Sequence, residues 1–155
     1  MIKSVLDIVL TLTFAIAIFF GLPKALSYFL KTSTPIAAIT SGSMWPVLKQ
    51  NDLILIKKIE DTSKIAVGDI VVYKNENGFT VHRVVRKLTD KLITRGDANN
   101  VDDSPIAYNQ VEGKVLGTKT GPVRLPFLGK ISTLLQQLHH DRGVTVVNPV
   151  ENNND

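Results

Sequence analysis

The chain of 155 residues is predicted to be mainly β, a single domain of short strands following one N-terminal transmembrane helix. Three observations carry that expectation. An apolar run of membrane length opens the chain. A series of stretches rich in Val and Ile follows, separated by Gly-, Asn- and Asp-containing turns. The length left after the apolar run suits one domain with a sizeable core and no second one. The expected division is residues 1–31 as anchor and flank, 32–145 as the β-rich domain, and 146–155 as a disordered tail.

From Val5 to Leu22 the chain carries one charge, Asp7, near the start. A helix of that length spans roughly 27 Å, close to the hydrocarbon thickness of a bilayer. Pro23 and Lys24 are expected to interrupt it, and Tyr28, Phe29 and Lys31 suit the far interface. A cleaved leader is the competing reading, but a credible small-x-small cleavage site is missing downstream: Ile36 precedes Ala37-Ala38, and Ala15-Ile16-Ala17 is mid-core. A retained anchor is therefore expected. Basic residues flank the run on both sides, so charge alone hardly decides orientation.

Beyond the anchor, Ile36 to Ile39 and Asp52 to Ile59 read as strands on either side of a turn. Ile70-Val71-Val72-Tyr73, the Asn75-to-Gly78 turn and Phe79 to Val85 read as a hairpin. Alternation then puts Thr80, His82 and Val84 on one face of the second strand, opposite Phe79 and Val81. Leu92-Ile93-Thr94 and Val111 to Leu116 supply further strands around the Asp-rich stretch from Arg95 to Asp103, which reads as a loop. Ile131, Leu134, Leu135 and Leu138 follow helical spacing, but that run is far too short to cross a bilayer. No internal repeat is present.

The net charge of +4, taken alone, points to nucleic acid. Without residues 1–31, however, 15 basic residues face 13 acidic ones and no dense basic tract remains, so no nucleic-acid partner is expected. There is no cysteine, hence no disulfide, and the redox compartment is undetermined. His139-His140-Asp141 alone makes a poor metal site, and no metal or cofactor is expected.

The chemistry-bearing segment is Ser41-Gly42-Ser43-Met44-Trp45-Pro46, a small-residue turn with two hydroxyls just after the anchor. A serine hydroxyl attacks well only when a base takes its proton. Of the three histidines, His82 alone has a defined direction on a strand, and an aspartate from the loop beyond it completes a Ser-His-Asp order. Each part has a bland reading: Ser-Gly-Ser is commonly a linker, a strand histidine is commonly packed, and Asp-rich loops are commonly solvated. The Asp-rich stretch also lacks the ligand spacing and terminal glutamate of an EF-hand. The ordered combination is what points to a hydrolase.

Taken together, Ser41 to Pro46, Gly68-Asp69-Ile70-Val71-Val72-Tyr73, Val81-His82-Arg83-Val84 and Arg95-Gly96-Asp97-Ala98-Asn99-Asn100 resemble type I signal peptidases over roughly residues 5 to 130. Histidine at position 82, where the ordinary bacterial enzymes carry lysine, is similar to the endoplasmic-reticulum, archaeal and sporulating-bacterium branch. The resemblance implies a signal-peptidase-type β-rich catalytic domain and a membrane-bound serine endopeptidase that removes signal peptides from secretory preproteins. It makes Ser43 the nucleophile and His82 the general base. Ser41 and Met44 fall on the oxyanion and substrate side. Asp97 and Asp103 match the branch's two important aspartates, with Asp103 favoured as triad member and Asp97 bracing the loop. Trp45 departs from the branch, which more often has an acidic residue there. The implied location is the cell membrane, single-pass, with the catalytic domain extracytoplasmic. The implied partners are preproteins and the bilayer, with accessory subunits open. A catalytically silent, membrane-tethered scaffold of the same fold is the alternative, and the intact residue set argues against it.

Overall fold

The computed structural model describes residues 2–76, 78–118 and 121–130. The expected helical run from Ile131 to Leu138, the His139-His140 pair and the tail lie outside the described residues.

The chain begins with one long helix, α1 (Ile2–Leu30), whose stretch from Ser4 to Leu30 is long and apolar enough to cross a membrane. From Ser4 to Ala25 the helix is exposed throughout, Phe14 and Phe19 at 68% and 66%. The helix also runs straight through Pro23, where the sequence predicts an interruption. The energetics favour this. Proline loses the bond to the Phe19 carbonyl at a cost of about 3 kcal/mol. Continuing to Leu30 gains the helical hydrogen bonds of the residues after Pro23, which an ending at Leu22 would forgo.

At its end the helix is tied to the domain. The Lys58 amide donates to the Leu30 carbonyl at 3.0 Å, the Ile56 amide donates to the Pro35 carbonyl at 2.9 Å, and Lys31 pairs with Glu60 at 2.7 Å.

The strands are β1 (Ile36–Ala38), β2 (Leu53–Lys57), β3 (Ile70–Asn75), β4 (Gly78–Lys87), β5 (Lys91–Arg95), β6 (Ile106–Ala107), β7 (Val111–Val115), β8 (Gly117–Thr118), β9 (Gly121–Pro122) and β10 (Arg124–Leu125). The main antiparallel sheet runs β1-β2-β7-β3-β4-β5-β6, with β10 also on β2, while β8 and β9 form a separate ribbon. The hairpin β3-β4 pairs Ile70 with Arg83 through to Asn75 with Gly78, so its connection is tight. The sequence reading anticipates β1 to β5 and β7 to within a few residues; β6 and β8 to β10 are two-residue strands too short to carry a periodic signal.

Every residue of β3 from Ile70 to Tyr73 is buried, which its unbroken β-branched run anticipates, because apolar clusters lie on both faces of the sheet. Ile39, Met44, Leu48, Ile54, Ile56, Ile70, Val72 and Val115 form one cluster. Ile65, Val71, Tyr73, Val84, Leu92 and Ile106 form the other. Strand β4 alternates accordingly, with Val81 packing on the first cluster while Thr80, His82 and Val84 are buried on the second side. His82 is thus pointed by strand period and held by the apolar residues around it.

Candidate active site

The serine turn is pinned by its apolar residues. Met44 and Leu48 are fully buried, the Leu48 amide donates to the Met44 carbonyl, and the Trp45 amide donates to the Gly42 carbonyl, each at 2.9 Å. The turn contains a cis Trp45–Pro46 peptide, and Trp45 is exposed. Its return is locked by buried Asp52, whose carboxylate accepts from the Lys49 amide at 2.9 Å and from Arg124 at 2.7 Å. Sequence that looks like a small-residue linker is therefore held rigidly, with Ser43 beside the anchoring Met44.

From the other side comes the loop after β5. The Ala98 amide donates to the Ser43 carbonyl at 2.8 Å, and at Gly96 an added Cβ would lie 2.7 Å from that same carbonyl oxygen. No real side chain tolerates such a contact, so glycine is what lets the loop reach the serine turn.

Ser43 Oγ lies 3.1 Å from His82 Nε2, and His82 Nδ1 lies 2.6 Å from Asp103 Oδ2. The short contact to a carboxylate puts the imidazole proton on Nδ1. The lone pair of Nε2 then faces the serine hydroxyl, as a general base requires. Ser41 Oγ is 3.2 Å from Ser43 Oγ. Burial pushes the Asp103 carboxyl up, but hydrogen bonds from His82 and Thr94, the His82 charge and the Tyr73 hydroxyl outweigh it and hold Asp103 below the ordinary aspartate value. Asp103 is therefore ionised at any pH where a histidine base works.

Asp97 is elsewhere. Its two carboxylate oxygens accept from Arg83 Nε and an Arg83 terminal nitrogen, both at 2.7 Å, while Arg83 also donates to the Gly68 carbonyl at 2.8 Å. Arg83 neighbours His82 on β4 but faces the opposite way, so the pair ties the loop to the strand without touching the imidazole. Of the residues singled out in the sequence, Ser41, Ser43, His82 and Asp103 come together, Met44 lies beneath them in the core, and Asp97 pairs with Arg83.

Two residues that the sequence reading passes over also reach Asp103 Oδ2: Thr94 Oγ1 at 2.7 Å and the Tyr73 hydroxyl at 3.3 Å. A signal for Tyr73 was available in the hairpin register, which pairs Val71 with His82 and so puts Tyr73, two residues on, on the histidine's face. Among the described residues no group of three or more histidine, aspartate or glutamate side chains is arranged to hold a metal.

Around the set opens a cleft of about 890 Å³ lined by Ser41, Ser43, His82, Asn99, Val101 and Asp103, among others. Next to Ser43 is a hollow of about 10 Å³ between Ala38, Ile39, Met44 and Val81, hardly more than a water molecule occupies.

Residues 21–118 match the Peptidase S24-like family. The fold and that match define the class: a serine peptidase. The signal peptidase complex catalytic subunit SEC11 of Metarhizium acridum is 36% identical over 124 residues, covering 74% of this chain and 71% of the relative. The SEC11 subunit of Lodderomyces elongisporus is 34% identical over 147 residues, covering 88% and 86%, and that of Candida tropicalis 34% over 139 residues, covering 83% and 81%. The chain belongs to the type I signal peptidase family and is a membrane-anchored signal peptidase.

Proposed function

We propose that Ser43 is the nucleophile of signal peptide cleavage, with His82 as its base and Asp103 as the group that orients and charge-balances His82. The observation that carries this is the unbroken line Ser43 Oγ, His82, Asp103 Oδ2 at 3.1 and 2.6 Å. Ser43 Oγ attacks the scissile carbonyl while Nε2 takes its proton. The imidazolium then gives that proton to the leaving amine, and the acyl-enzyme forms on Ser43. Water, deprotonated by the same Nε2, releases the acyl group and regenerates the serine. The Ser41 hydroxyl, 3.2 Å from Ser43 Oγ, and the Ser43 amide, which donates to Ser41 Oγ at 3.5 Å, would be the donors for the oxyanion.

The hollow between Ala38, Ile39, Met44 and Val81 supports a preference for alanine-sized residues before the cut, since a branched side chain has no room there. The substrates are secretory preproteins bearing signal peptides. The helix keeps the domain at the bilayer, where such precursors are held, and so raises their effective concentration. The family resemblance implies the cell membrane with the catalytic domain extracytoplasmic. The fungal relatives are named as catalytic subunits of a signal peptidase complex, which supports accessory subunits for this chain as well.

The test is cleavage of a signal-peptide-bearing precursor by the full chain in detergent. Ser43→Ala, His82→Ala and His82→Lys are each expected to lose about 10³-fold or more in kcat/KM. Wild-type rates in Ser43→Ala would overturn the assignment in favour of a scaffold or another nucleophile.

A further inference from the structure

Asp103 is gripped by more than His82. All three of its side-chain hydrogen bonds converge on one oxygen, Oδ2: His82 Nδ1 at 2.6 Å, Thr94 Oγ1 at 2.7 Å and the Tyr73 hydroxyl at 3.3 Å. Thr94 also accepts the Asp103 amide on its own carbonyl at 2.8 Å, so it holds this residue at both backbone and side chain.

The hydroxyl protons can be assigned. Thr94 Oγ1 has two acceptors in reach, Asp103 Oδ2 at 2.7 Å and the Tyr73 oxygen at 3.4 Å; the shorter contact, to a charged acceptor, takes the proton. Burial pushes the Tyr73 phenol up to about 12, so it too keeps its proton and donates to Asp103. Thr94 is wholly inaccessible and Tyr73 nearly so, in a place where an apolar residue of similar shape would pack as well. Two buried hydroxyls aimed at one carboxylate oxygen are more than packing calls for.

We infer that Thr94 and Tyr73 are positioning residues of the peptidase, which act through Asp103 to fix the direction of His82 and the charge that the carboxylate presents to it. This rests on the proposed roles of His82 and Asp103. Each hydroxyl spreads the carboxylate's charge, so less of that charge is concentrated on the oxygen that faces the imidazole. The same bonds stop the carboxylate from turning away as the imidazole cycles between neutral and charged. Other charged groups close by are already engaged: Arg83 with Asp97, and Asp102 with Arg86 and Arg95 at 3.0 and 3.3 Å.

The experiment is the pH profile of kcat/KM and the split between kcat and KM for precursor cleavage by the full chain, comparing Thr94→Val, Thr94→Ser and Tyr73→Phe, with thermal melts for each. Thr94→Val should lower kcat about tenfold with KM little changed, as expected for loss of one hydrogen bond to a charged group. Its acid limb should move to higher pH, because the carboxylate left with fewer hydrogen-bond donors concentrates its charge on the imidazole. Thr94→Ser should restore both. Tyr73→Phe should shift the limb the same way by less, its bond being longer, and it carries the test if Thr94→Val does not fold. An acid limb that stays in place in every folded variant, with activity falling only as the folded fraction falls, overturns the inference. If instead Ser43→Ala or His82→Ala retains activity, it is the underlying triad that fails.

Discussion

Asp97 and Asp103 are six residues apart in one loop, both partly buried and both paired with a basic side chain, yet the structure gives them different work. Asp103 meets His82; Asp97 takes Arg83 in a two-pronged contact with side chains 14% and 29% exposed. Asp97→Asn should therefore cost about 1 to 3 kcal/mol of stability, read as a lower melting temperature. Its acid limb should be that of the wild type. Asp103→Asn should melt near the wild-type temperature and lose about 10³-fold or more in kcat. The reverse pattern would exchange the two roles. At this scale the sequence is legible for two serines in one turn and for one strand histidine, whereas Asp97 and Asp103 are two of ten aspartates and stand out only through the family resemblance. Thr94 escapes it because its part depends on a distance between segments that no spacing along the chain encodes, and Tyr73 because the hairpin register gives its face but not its reach to Asp103. Gly96 is visible in the sequence as a loop glycine, but not as the point of contact with the Ser43 carbonyl.

Strands are what aim these groups. A two-residue period on β4 turns His82 inward beside Val84, and the register of β3 sets Tyr73 on the same side. The longer strands are legible because burial on one or both faces writes either an alternation or an apolar run into the sequence. The short ones are defined only by partners: β10 exists because Arg124 and Leu125 lie against Ile54 and Leu53. Strand β7 depends on closeness of a different kind. At Gly113 an added Cβ would come within 2.6 Å of the Lys57 carbonyl oxygen and 2.7 Å of an Ile56 methyl. Both neighbours belong to β2, whose Ile56 and Lys57 pair with Val115 and Lys114, so neither can retreat without opening that ladder. Gly113→Ala should cost about 2 kcal/mol or more by overpacking. Urea unfolding would read this as a lower midpoint at unchanged slope. A midpoint within 0.5 kcal/mol of wild type, about the scatter of a surface substitution, would mean that β2 and β7 are not held as closely as they stand.

The whole molecule joins a domain that buries its apolar residues to a helix that buries none of them. From Ser4 to Leu30 the helix extends about 40 Å, longer than the roughly 30 Å of hydrocarbon in a bilayer, so it has room to tilt or to bring Tyr28 and Phe29 into the headgroup region. In water its uncovered apolar surface would far exceed the few hundred Å² a soluble monomer commonly exposes. Lipid contact resolves that imbalance. Because the Lys58 amide bonds the last carbonyl of the helix and Lys31 pairs with Glu60, the domain is tethered closely rather than on a long leash. The chain should therefore stay with membranes in alkaline carbonate. A charge at the centre of a spanning helix costs about 2.5 to 3.5 kcal/mol, so Leu12→Asp, Ile16→Asp and Phe19→Asp together should release the chain into the soluble fraction. Since α1 contributes no atom to the Ser43, His82 and Asp103 set, the released variant should cleave a short soluble peptide within about threefold of the wild type, the modest change expected when the reacting groups are untouched. It should cleave a membrane-inserted precursor at least tenfold more slowly, through loss of effective concentration. Equal cleavage of the inserted precursor would mean that the helix does no more than hold the protein in place. Loss of activity on the soluble peptide would mean that the helix contributes to the folding of the domain itself.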